Sequence, residues 1–378
     1  MRPPLAVVSC TLLSLSLPAA VASQAPRWEG REILRLGGVD GPAALAGVFD
    51  GEFARDGRIL VAQTNAGLAE FGPNGRYLRT VGRKGPGPGE FTFMSRLGWK
   101  ADTLWAVDMN RLNLFDSDLR FVRTVTPQLE APPPGMRVNP GPLMADGSVI
   151  FVAVGGDDGP DPPVILASEE GRRIRVLARG TDRPRQTTVN APTGLAIWTP
   201  DPWPSHTLWL HDTDGRSIIL VDRRDEENPD EPVYRIMRIA LNGDTVTNAA
   251  IRYTPRPIGR DLSDAFFRQR AEWIASRPGD LTVASAERLL RGAMTIPRHA
   301  PPVTKVVPAS DGTTWVRRED LRDATVEWQV LDREFVEVAR LTLPADLEVF
   351  RVTADRILGR VTDDLDVPWV VVYEILKL

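Results

Sequence analysis

Short apolar runs separated by turn residues fill most of the chain, and this pattern predicts β-strands. The first clear turn signal is Asp56-Gly57, and Asn74-Gly75 is a tight hairpin signal because both residues tolerate positive φ. No helical spacing of apolar residues persists here over a dozen positions. Short runs divided by such turns are typical of an antiparallel meander. The runs in this part of the chain are Arg58–Ala62, Leu68–Phe71 and Tyr77–Val81.

The same pattern recurs 44 residues further along the chain. Leu60–Val81 aligns with Leu104–Val125 without a gap, and both segments end in Arg-Thr-Val. A period of about 40 to 50 residues indicates propeller blades or helical arrays, and the strand pattern favours blades. Weaker copies continue to the C-terminus and bring the count to six. A count of seven stays open if the third or fourth copy contains a degenerate extra blade.

One strand and one helical segment stand outside the repeats. Glu32–Leu36 precedes the first repeat, and we expect it to complete the last blade, because a closed ring has no long exposed edge. The segment 260–297 breaks the strand pattern. Helical spacing there predicts one helix that starts near Asp261 as its N-cap, and a second over Leu281–Arg291 that ends at Gly292. The Pro-rich stretches 131–142 and 199–204 are interpreted as loops.

These patterns predict an all-β fold, a six-bladed β-propeller over residues 31–378. The helical insertion 260–297 would lie between blades four and five. Residues 1–22 precede this domain and have the three regions of a signal peptide: Arg2, an apolar run over Leu5–Leu17, and the small residues around Val21. We therefore expect a periplasmic or secreted protein with no transmembrane segment, since the apolar run is too short for one.

Cysteine and charge narrow the class of protein further. The only cysteine, Cys10, lies inside the signal segment, so the mature chain would have no disulfide and no thiolate metal site. A lipid anchor on Cys10 is the alternative, but too few apolar residues precede it and the apolar run continues past it. The net charge of −4 with interspersed signs argues against a nucleic-acid partner. We expect a monomer.

Two segments resemble a known repeat family. Val81–Phe91, with its alternating Gly and Pro, resembles the blade-to-blade link of NHL-type six-bladed propellers, and Asp108–Phe115 resembles the middle of an NHL repeat. The C-terminal half is similar to exported six-bladed propellers of uncharacterised function. The chain departs from the repeat at Thr64, which aligns with Asp108. The resemblance implies a fold and an exported location, and it implies no reaction.

Motifs for catalysis are sparse. The three histidines, His206, His211 and His299, do not have the spacing of a zinc site, and no G-x-S-x-G elbow is present. Gly85-x-Gly87-x-Gly89 lacks the spacing of a nucleotide loop, and its prolines remove amide donors. His211 beside Asp212 at a strand end is the best candidate for acid–base chemistry, although turn residues are ordinary there.

Carboxylates support an alternative function. Propeller lactonases hold calcium on the ring axis with oxygen ligands from several blades, and hard cations prefer such ligands. The candidates at comparable strand ends here are Asn65, Asp108, Asp212 and Asp363. The alternative function is therefore a calcium-dependent hydrolase or lactonase, but Asp and Asn also end strands for purely structural reasons.

The leading hypothesis is a non-enzymatic exported propeller that binds a ligand or a protein at one face of the ring. It assigns no catalytic residue, metal or cofactor, and the partner is an unidentified protein, peptide or saccharide. Trp198 and Trp203 could stack on a sugar or a peptide. The other tryptophans are expected in the core between blades. The ligand-binding candidates are Asn65, Asp108, Asn110, Arg111, His211 and Asp212.

Overall fold

The computed structural model describes residues 25–38, 40–64, 66–154, 162–180, 186–190, 196–223, 232–277, 281–318 and 324–377. The proposed signal peptide 1–22, including Cys10, and the candidate Asn65 lie outside the described residues. The described part is all-β with two helices.

The strands of the first half are, in chain order, β1 (Arg27–Leu36), β2 (Val48–Phe53), β3 (Ile59–Gln63), β4 (Gly67–Phe71), β5 (Tyr77–Val81), β6 (Met94–Lys100), β7 (Thr103–Asp108), β8 (Arg111–Phe115), β9 (Phe121–Val125), β10 (Arg137–Leu143), β11 (Val149–Val154), β12 (Pro163–Ala167), β13 (Arg173–Arg179), β14 (Gln186–Asn190) and β15 (Ala196–Pro200). The second half contains β16 (Leu208–His211), β17 (Ser217–Asp222), β18 (Val233–Ala240), β19 (Thr245–Arg252), β20 (Arg256–Pro257), α1 (Arg260–Ala275), α2 (Val283–Ala293), β21 (His299–Ala300), β22 (Lys305–Pro308), β23 (Thr314–Arg317), β24 (Thr325–Leu331), β25 (Glu337–Pro344), β26 (Glu348–Val352), β27 (Arg356–Thr362) and β28 (Pro368–Lys377).

The sheets have a propeller-like arrangement. Four separate antiparallel sheets have four strands each, in the orders β2–β5, β6–β9, β10–β13 and β16–β19. The first strands of the sheets are neighbours, and their contacts run from β10 through β6, β2, β26 and β22 to β16. Arg96 of β6 lies over the indole of Trp209 in β16, 5.9 Å from the ring centroid. The first strands therefore surround a central axis.

The expectation of six separate blades is corrected: the described residues form four separate four-stranded sheets and one sheet of eight strands. The order of the large sheet is β22–β23–β24–β25–β1–β28–β27–β26. β1 pairs antiparallel with β28 along most of its length, as expected for the N-terminal strand. It also pairs in parallel with β25 through Arg27 and Trp28. These two pairings of β1 are the reason that the last eight strands form one sheet.

The hydrophobic core lies between sheets that follow one another in the chain. Leu60 and Leu68 of the first sheet pack with Leu97 and Leu104 of the second, and every other neighbouring pair has its own cluster of this kind. Burial of apolar area at these interfaces is the main driving force of the fold. As expected, tryptophans fill the core, namely Trp105, Trp209, Trp315 and Trp328.

A small unit of two helices and one hairpin lies outside the sheets. α1 begins at Arg260 after Gly259, so Asp261 lies in the first turn and is not the N-cap. α2 is capped by Thr282, and Gly292 lies inside it instead of ending it. Both helices pack on β14 and β15 through residues such as Val189 and Phe267. The hairpin β14–β15 was missed at the sequence level, where 199–204 was interpreted as a loop.

The second predicted loop is also corrected, because the second half of the Pro-rich stretch 131–142 belongs to β10. Pro140 faces Phe151 of β11, and the register shifts between Pro140 and Leu143. β10 pairs only with β11, so it is an edge strand. Prolines are tolerated at such an edge because no ladder hydrogen bond is lost on the unpaired side.

The sheets have two distinct ends, which we call the inner-turn face and the linker face. The inner-turn face carries the turns between first and second strands, and turns of neighbouring sheets contact each other there. These contacts are Arg55 with Asp102, Ala145 with Gly215, Thr213 with Ala309, and Ser310 with Val352. The linker face carries the segment 82–93 and the turns between second and third strands, including 109–110 and 363–367.

Candidate functional site

Asp108 and Arg111 meet on the linker face. Asp108 ends β7 and Arg111 begins β8, so a two-residue turn places their side chains together. The Asp108 carboxylate is fully buried and accepts hydrogen bonds from the backbone N–H of Thr92 at 2.9 Å and of Phe93 at 2.5 Å. Arg111 Nη2 donates to Asp108 Oδ2 at 2.8 Å. Charge-assisted bonds of this kind are among the strongest in proteins.

Arg111 also holds the Gly-Pro segment against the second sheet. Its guanidinium donates to the carbonyls of Pro86 and Glu90. Asn113, also fully buried, donates from Nδ2 to the Glu90 carbonyl at 2.9 Å. Gly82 starts this segment at φ +75°, where a Cβ would lie 2.7 Å from the Gly89 carbonyl oxygen. The glycines thus let the chain cross from the outer strand of one sheet to the first strand of the next.

The structure therefore gives Asp108 and Arg111 a structural role. Both side chains have their hydrogen-bonding capacity taken up by the linker and by each other, and their part in ligand binding stays a prediction. Thr64, the aligned position in the first sheet, instead donates from Oγ1 to the Gly47 carbonyl at 3.0 Å. At Thr64 the chain thus departs from the repeat because a different hydrogen bond holds the segment that leads into the first sheet.

His211 and Asp212 lie at the other end of the sheets. Asp212 follows β16 in an inner turn, where its Oδ2 accepts from Arg238 Nε at 2.9 Å and from Ser217 Oγ at 3.2 Å. Its Oδ1 accepts from the Thr213 backbone N–H. His211 and Asp212 thus lie at the opposite end of the sheets from Asp108, and the candidates that the structure describes do not form one site.

Asp212 is fixed within its turn, but His211 has no hydrogen-bond partner in the described part of the chain. Its ring packs edge-on against Trp105 at 5.6 Å. Burial, together with the positive charges of Arg351 and Arg96, lowers the pKa of His211 to about 3. His211 is therefore neutral at physiological pH.

The ligand set of the calcium alternative is not assembled among the described residues. Asp363 lies in the β27–β28 turn, where its carboxylate accepts from Trp369 Nε1 at 2.9 Å and from the amides of Leu365 and Val367. Asp108 and Asp212 are occupied as described above. No group of three or more His, Cys, Asp or Glu that could hold a metal ion occurs in the described ranges.

A pocket of about 270 Å³ opens on the linker face between the second and third sheets, and we call it the rim pocket. Of the predicted candidates, only Asn110 lines it. It is formed by the linker-face ends of β6, β7, β10 and β11. Its lining residues are Phe93, Ser95, Arg96, Met109, Asn110, Arg137, Asn139, Pro140 and Val152.

The rim pocket combines exposed apolar side chains with an available cation. Phe93 is 51% exposed and Met109 is 54% exposed, which is unusual for such side chains. The Met109 N–H donates to the Phe93 carbonyl at 3.2 Å, so one backbone bond brings the two side chains to the same rim. Arg137, also exposed, has no ion-pair partner in the described ranges. The pocket can therefore contact an apolar group and an anion at once.

Of these lining residues, Asn110 was among the candidates from the sequence, whereas Phe93, Met109 and Arg137 were not. One signal was present, because Met109 occupies a tight turn between β7 and β8 where a polar residue or glycine is usual. Arg137 gave no signal, since it starts a strand that was interpreted as a loop. The aromatic candidates also separate: Trp198 is 67% exposed on β15, whereas Trp203 packs against Phe266 of α1 at 5.5 Å.

Comparisons with known proteins give no assignment. No family model matches the chain. No curated protein matches it. Solved structures with some similarity include a candidate exported protein from Bacteroides fragilis NCTC 9343, with a TM-score of 0.49, 10% identity, and coverage of 94% of this chain and 96% of that one.

Two further solved structures have lower scores. A member of the DUF4221 family from Bacteroides vulgatus ATCC 8482 has a TM-score of 0.44 at 8% identity, covering 94% of this chain and 100% of that one. Hydrazine synthase from Kuenenia stuttgartiensis has a TM-score of 0.37 at 11% identity, covering 87% and 80%. Among the described residues, neither helix has the length and apolar character needed to cross a membrane. The comparisons thus name no family to which this chain belongs.

Proposed function

We propose that the chain is a non-enzymatic binding propeller that holds a short peptide in the rim pocket. The observation that carries the proposal is the pairing of two exposed apolar side chains, Phe93 and Met109, with the cation of Arg137 around one pocket. Loops and strand ends on a rigid β scaffold commonly carry binding sites. The ligand would offer an apolar side chain and a carboxylate, as a peptide C-terminus does.

Polar groups in the same pocket favour a peptide over a purely apolar ligand. Ser95, Asn110 and Asn139 supply hydrogen-bond donors and acceptors between the apolar rim and Arg137. Few but well-placed polar groups in a mostly apolar cleft are typical of small-ligand sites. A saccharide would stack on a flat aromatic surface, and the one aromatic ring in this lining is Phe93.

We further propose that the eight-stranded sheet works as two blades, so that the ring has six. Dividing it between β25 and β1 gives β22–β25 and β26–β28 with β1, each of four strands. One hydrophobic cluster lies at each of the six resulting interfaces, including that between the last blade and the first. Arg351 of β26 pairs with Glu52 of β2 at 2.6 Å across that closing interface. The helices α1 and α2 would then lie between blades four and five.

An NHL-like repeat and an exported location complete the proposal. The Gly-Pro linker and the aligned repeats support the first, and the composition of residues 1–22 supports the second. The NHL-like repeat and the exported location are both inferred from the sequence alone. N-terminal sequencing of the protein secreted from a native-like host tests the location, and it should find a start just after Ala22.

Fluorescence anisotropy tests the peptide site. The probes are three N-terminally labelled pentapeptides of matched sequence: one ends in Phe with a free carboxylate, one in Phe amide, and one in Ala with a free carboxylate. Only the first should bind well. The Arg137→Gln substitution should weaken binding of the first peptide about tenfold or more, because a hydrogen bond to a charged group contributes roughly 1.5–3 kcal/mol.

The matched control is Arg120→Gln, since Arg120 is an exposed arginine whose ion pairs with Asp116 and Asp118 lie in a turn of the inner-turn face. That variant should bind the peptide like the wild type. The proposal is wrong if the three peptides bind equally, if none binds at millimolar concentration, or if both arginine variants lose binding to the same degree. Tighter binding of a maltooligosaccharide than of any peptide would assign the pocket to saccharides instead.

A further inference from the structure

A second cavity, of about 200 Å³, lies on the central axis, away from the rim pocket. Three first strands, β16, β22 and β26, form most of its wall, and β2 contributes Phe49 and Asp50. Each of these three strands pairs on one side only, so its unpaired backbone edge faces the axis. Phe49 and Leu210, both half-buried, make part of the wall apolar, whereas Val306, Val307 and Phe350 are buried in the cores between sheets.

Most charges in this cavity are already matched. Arg351 donates from Nε to Glu52 at 2.6 Å, and its remaining donors reach Asp50 and the carbonyls of Leu97 and Phe350. Burial lowers the pKa of Arg351, but Asp50 and Glu52 outweigh burial, so its pKa is raised and the guanidinium stays charged. This network is saturated and forms a fixed side of the cavity.

Lys305 is the exception. Its nearest carboxylate oxygen, on Glu348, is 3.9 Å away, beyond hydrogen-bond distance. Glu348 instead pairs with Arg360 at 2.5 Å. Burial lowers the pKa of Lys305, and the attraction of Glu348 and Asp50 only partly offsets that effect; Arg317 and Arg351 add to the lowering. The Lys305 side chain is 33% exposed, and its ion pair with Glu348 is longer than those of Arg351 and Arg360 nearby.

His211 is the second uncommitted group in this cavity. Its imidazole lines the wall, and in the described ranges neither ring nitrogen has a hydrogen-bond partner. A neutral imidazole offers one donor and one acceptor, which suits a hydroxyl group. A loosely paired ammonium, and an imidazole without a hydrogen-bond partner among the described residues, therefore line one small cavity.

We propose that the axial cavity binds a short-chain hydroxycarboxylic acid, with its carboxylate on the Lys305 ammonium and its hydroxyl on the His211 imidazole. The cavity volume suits a molecule of a few heavy atoms, and the half-buried Phe49 and Leu210 accommodate its short carbon chain. A bound carboxylate gives the Lys305 ammonium a closer anion than Glu348. The axial cavity and the rim pocket share no lining residue.

Isothermal titration calorimetry on the full chain tests this site with 3-hydroxybutyrate, butyrate and sulfate. The wild type should bind 3-hydroxybutyrate about tenfold more tightly than butyrate, which lacks the hydroxyl. His211→Phe keeps the ring shape and should make the two affinities equal. Lys305→Met should abolish binding of both acids. Lys84→Met is the matched control, because Lys84 is exposed outside the cavity, and it should bind like the wild type.

Lys305→Met should still fold, since the Lys305 side chain is 33% exposed and its long ion pair with Glu348 contributes little to stability. Its melting temperature, measured beside each titration, checks this. The proposal is overturned if neither acid binds at tens of millimolar, if sulfate binds as tightly as 3-hydroxybutyrate, or if Lys305→Met binds like the wild type. If Lys305→Met does not fold, loss of the hydroxyl preference in His211→Phe decides the outcome.

Discussion

Met109 has a backbone conformation that its side chain disfavours. Its φ is +58°, in the left-handed region where a residue with a Cβ is strained by roughly 1–2 kcal/mol. Its side chain is also exposed, so packing does not offset this strain. Strained, exposed apolar residues are concentrated at functional sites. The position fits a role in contacting a ligand better than a role in folding.

Met109→Gly should therefore raise stability and lower affinity together. Relief of the strain, less the greater freedom of glycine in the unfolded chain, should raise the free energy of unfolding by about 0.5–1 kcal/mol. Loss of the Met109 side chain should weaken binding of the Phe-ending pentapeptide about tenfold, because the apolar area that the methionine buries against the peptide is lost. Urea unfolding and anisotropy measure the two effects. A variant that is less stable, or that binds as before, would contradict this role.

His211 gives a prediction for pH dependence. The pKa of His211 is about 3 in the folded protein and near its ordinary value in the unfolded chain. Between about pH 6.5 and 3 the unfolded chain thus holds a proton that the folded protein lacks, so acid favours unfolding. For one such group, the free energy of unfolding falls by roughly 1.4 kcal/mol for each pH unit of acidification within this window.

Replacing His211 by Gln should flatten the loss of stability in that window relative to the wild type. Urea unfolding at pH 7, 6, 5 and 4 measures it for both proteins, and the carboxylates contribute equally to each. His299→Gln, in the short strand β21, is the control and should keep the wild-type slope. Identical slopes for His211→Gln and the wild type would show that His211 titrates normally in the folded protein.

The position of a single residue in its turn was easier to predict from the sequence than its hydrogen-bond partners. The spacing of Asp108 and Arg111 across a turn was enough to place them together. It could not show that Pro86 and Glu90 would return over them and take up their hydrogen bonds. These hydrogen bonds depend on the path of the linker between two sheets, which brings residues more than 20 positions apart into contact. Turn residues can thus have structural partners that the local sequence does not indicate.

At the scale of elements, the strands with turn signals were predicted well. The Asp-Gly and Asn-Gly turns delimit β3, β4 and β5, and the aligned repeat does the same for β7 to β9. β10 was missed because Pro140 and Pro142 are typical of loops, and only its place at a sheet edge makes them acceptable. The fused eight-stranded sheet could not be predicted, because it depends on β1 meeting β25 as well as β28.

β1 should be essential to the stability of the ring. Leu36, at its end, is 2% exposed and packs between the last strands and the first sheet. Leu36→Ala should lower the free energy of unfolding by about 2–4 kcal/mol through lost burial and a cavity. Ile33→Ala, in the same strand but 41% exposed, is the matched control and should change it by less than about 0.5 kcal/mol. Equal effects in urea unfolding would mean that β1 is not packed as described.

At the scale of the whole molecule, stability should not depend on calcium. Asp108, Asp212 and Asp363, from three sheets, each have hydrogen-bond donors close by and lie in separate turns. Since a ligand that binds only the folded state raises the melting temperature, an axial calcium site would make it sensitive to chelation. Scanning calorimetry with EDTA and with added calcium chloride should give the same melting temperature. A fall with EDTA that calcium reverses would restore the metal-dependent alternative.

The most direct test of binding at the linker face is a crystal structure of the protein with the Phe-ending pentapeptide. If the rim pocket binds the peptide, electron density for the terminal Phe should lie between Phe93 and Met109, and density for the terminal carboxylate should lie beside Arg137. Density confined to another surface, or to the axial cavity, would contradict it.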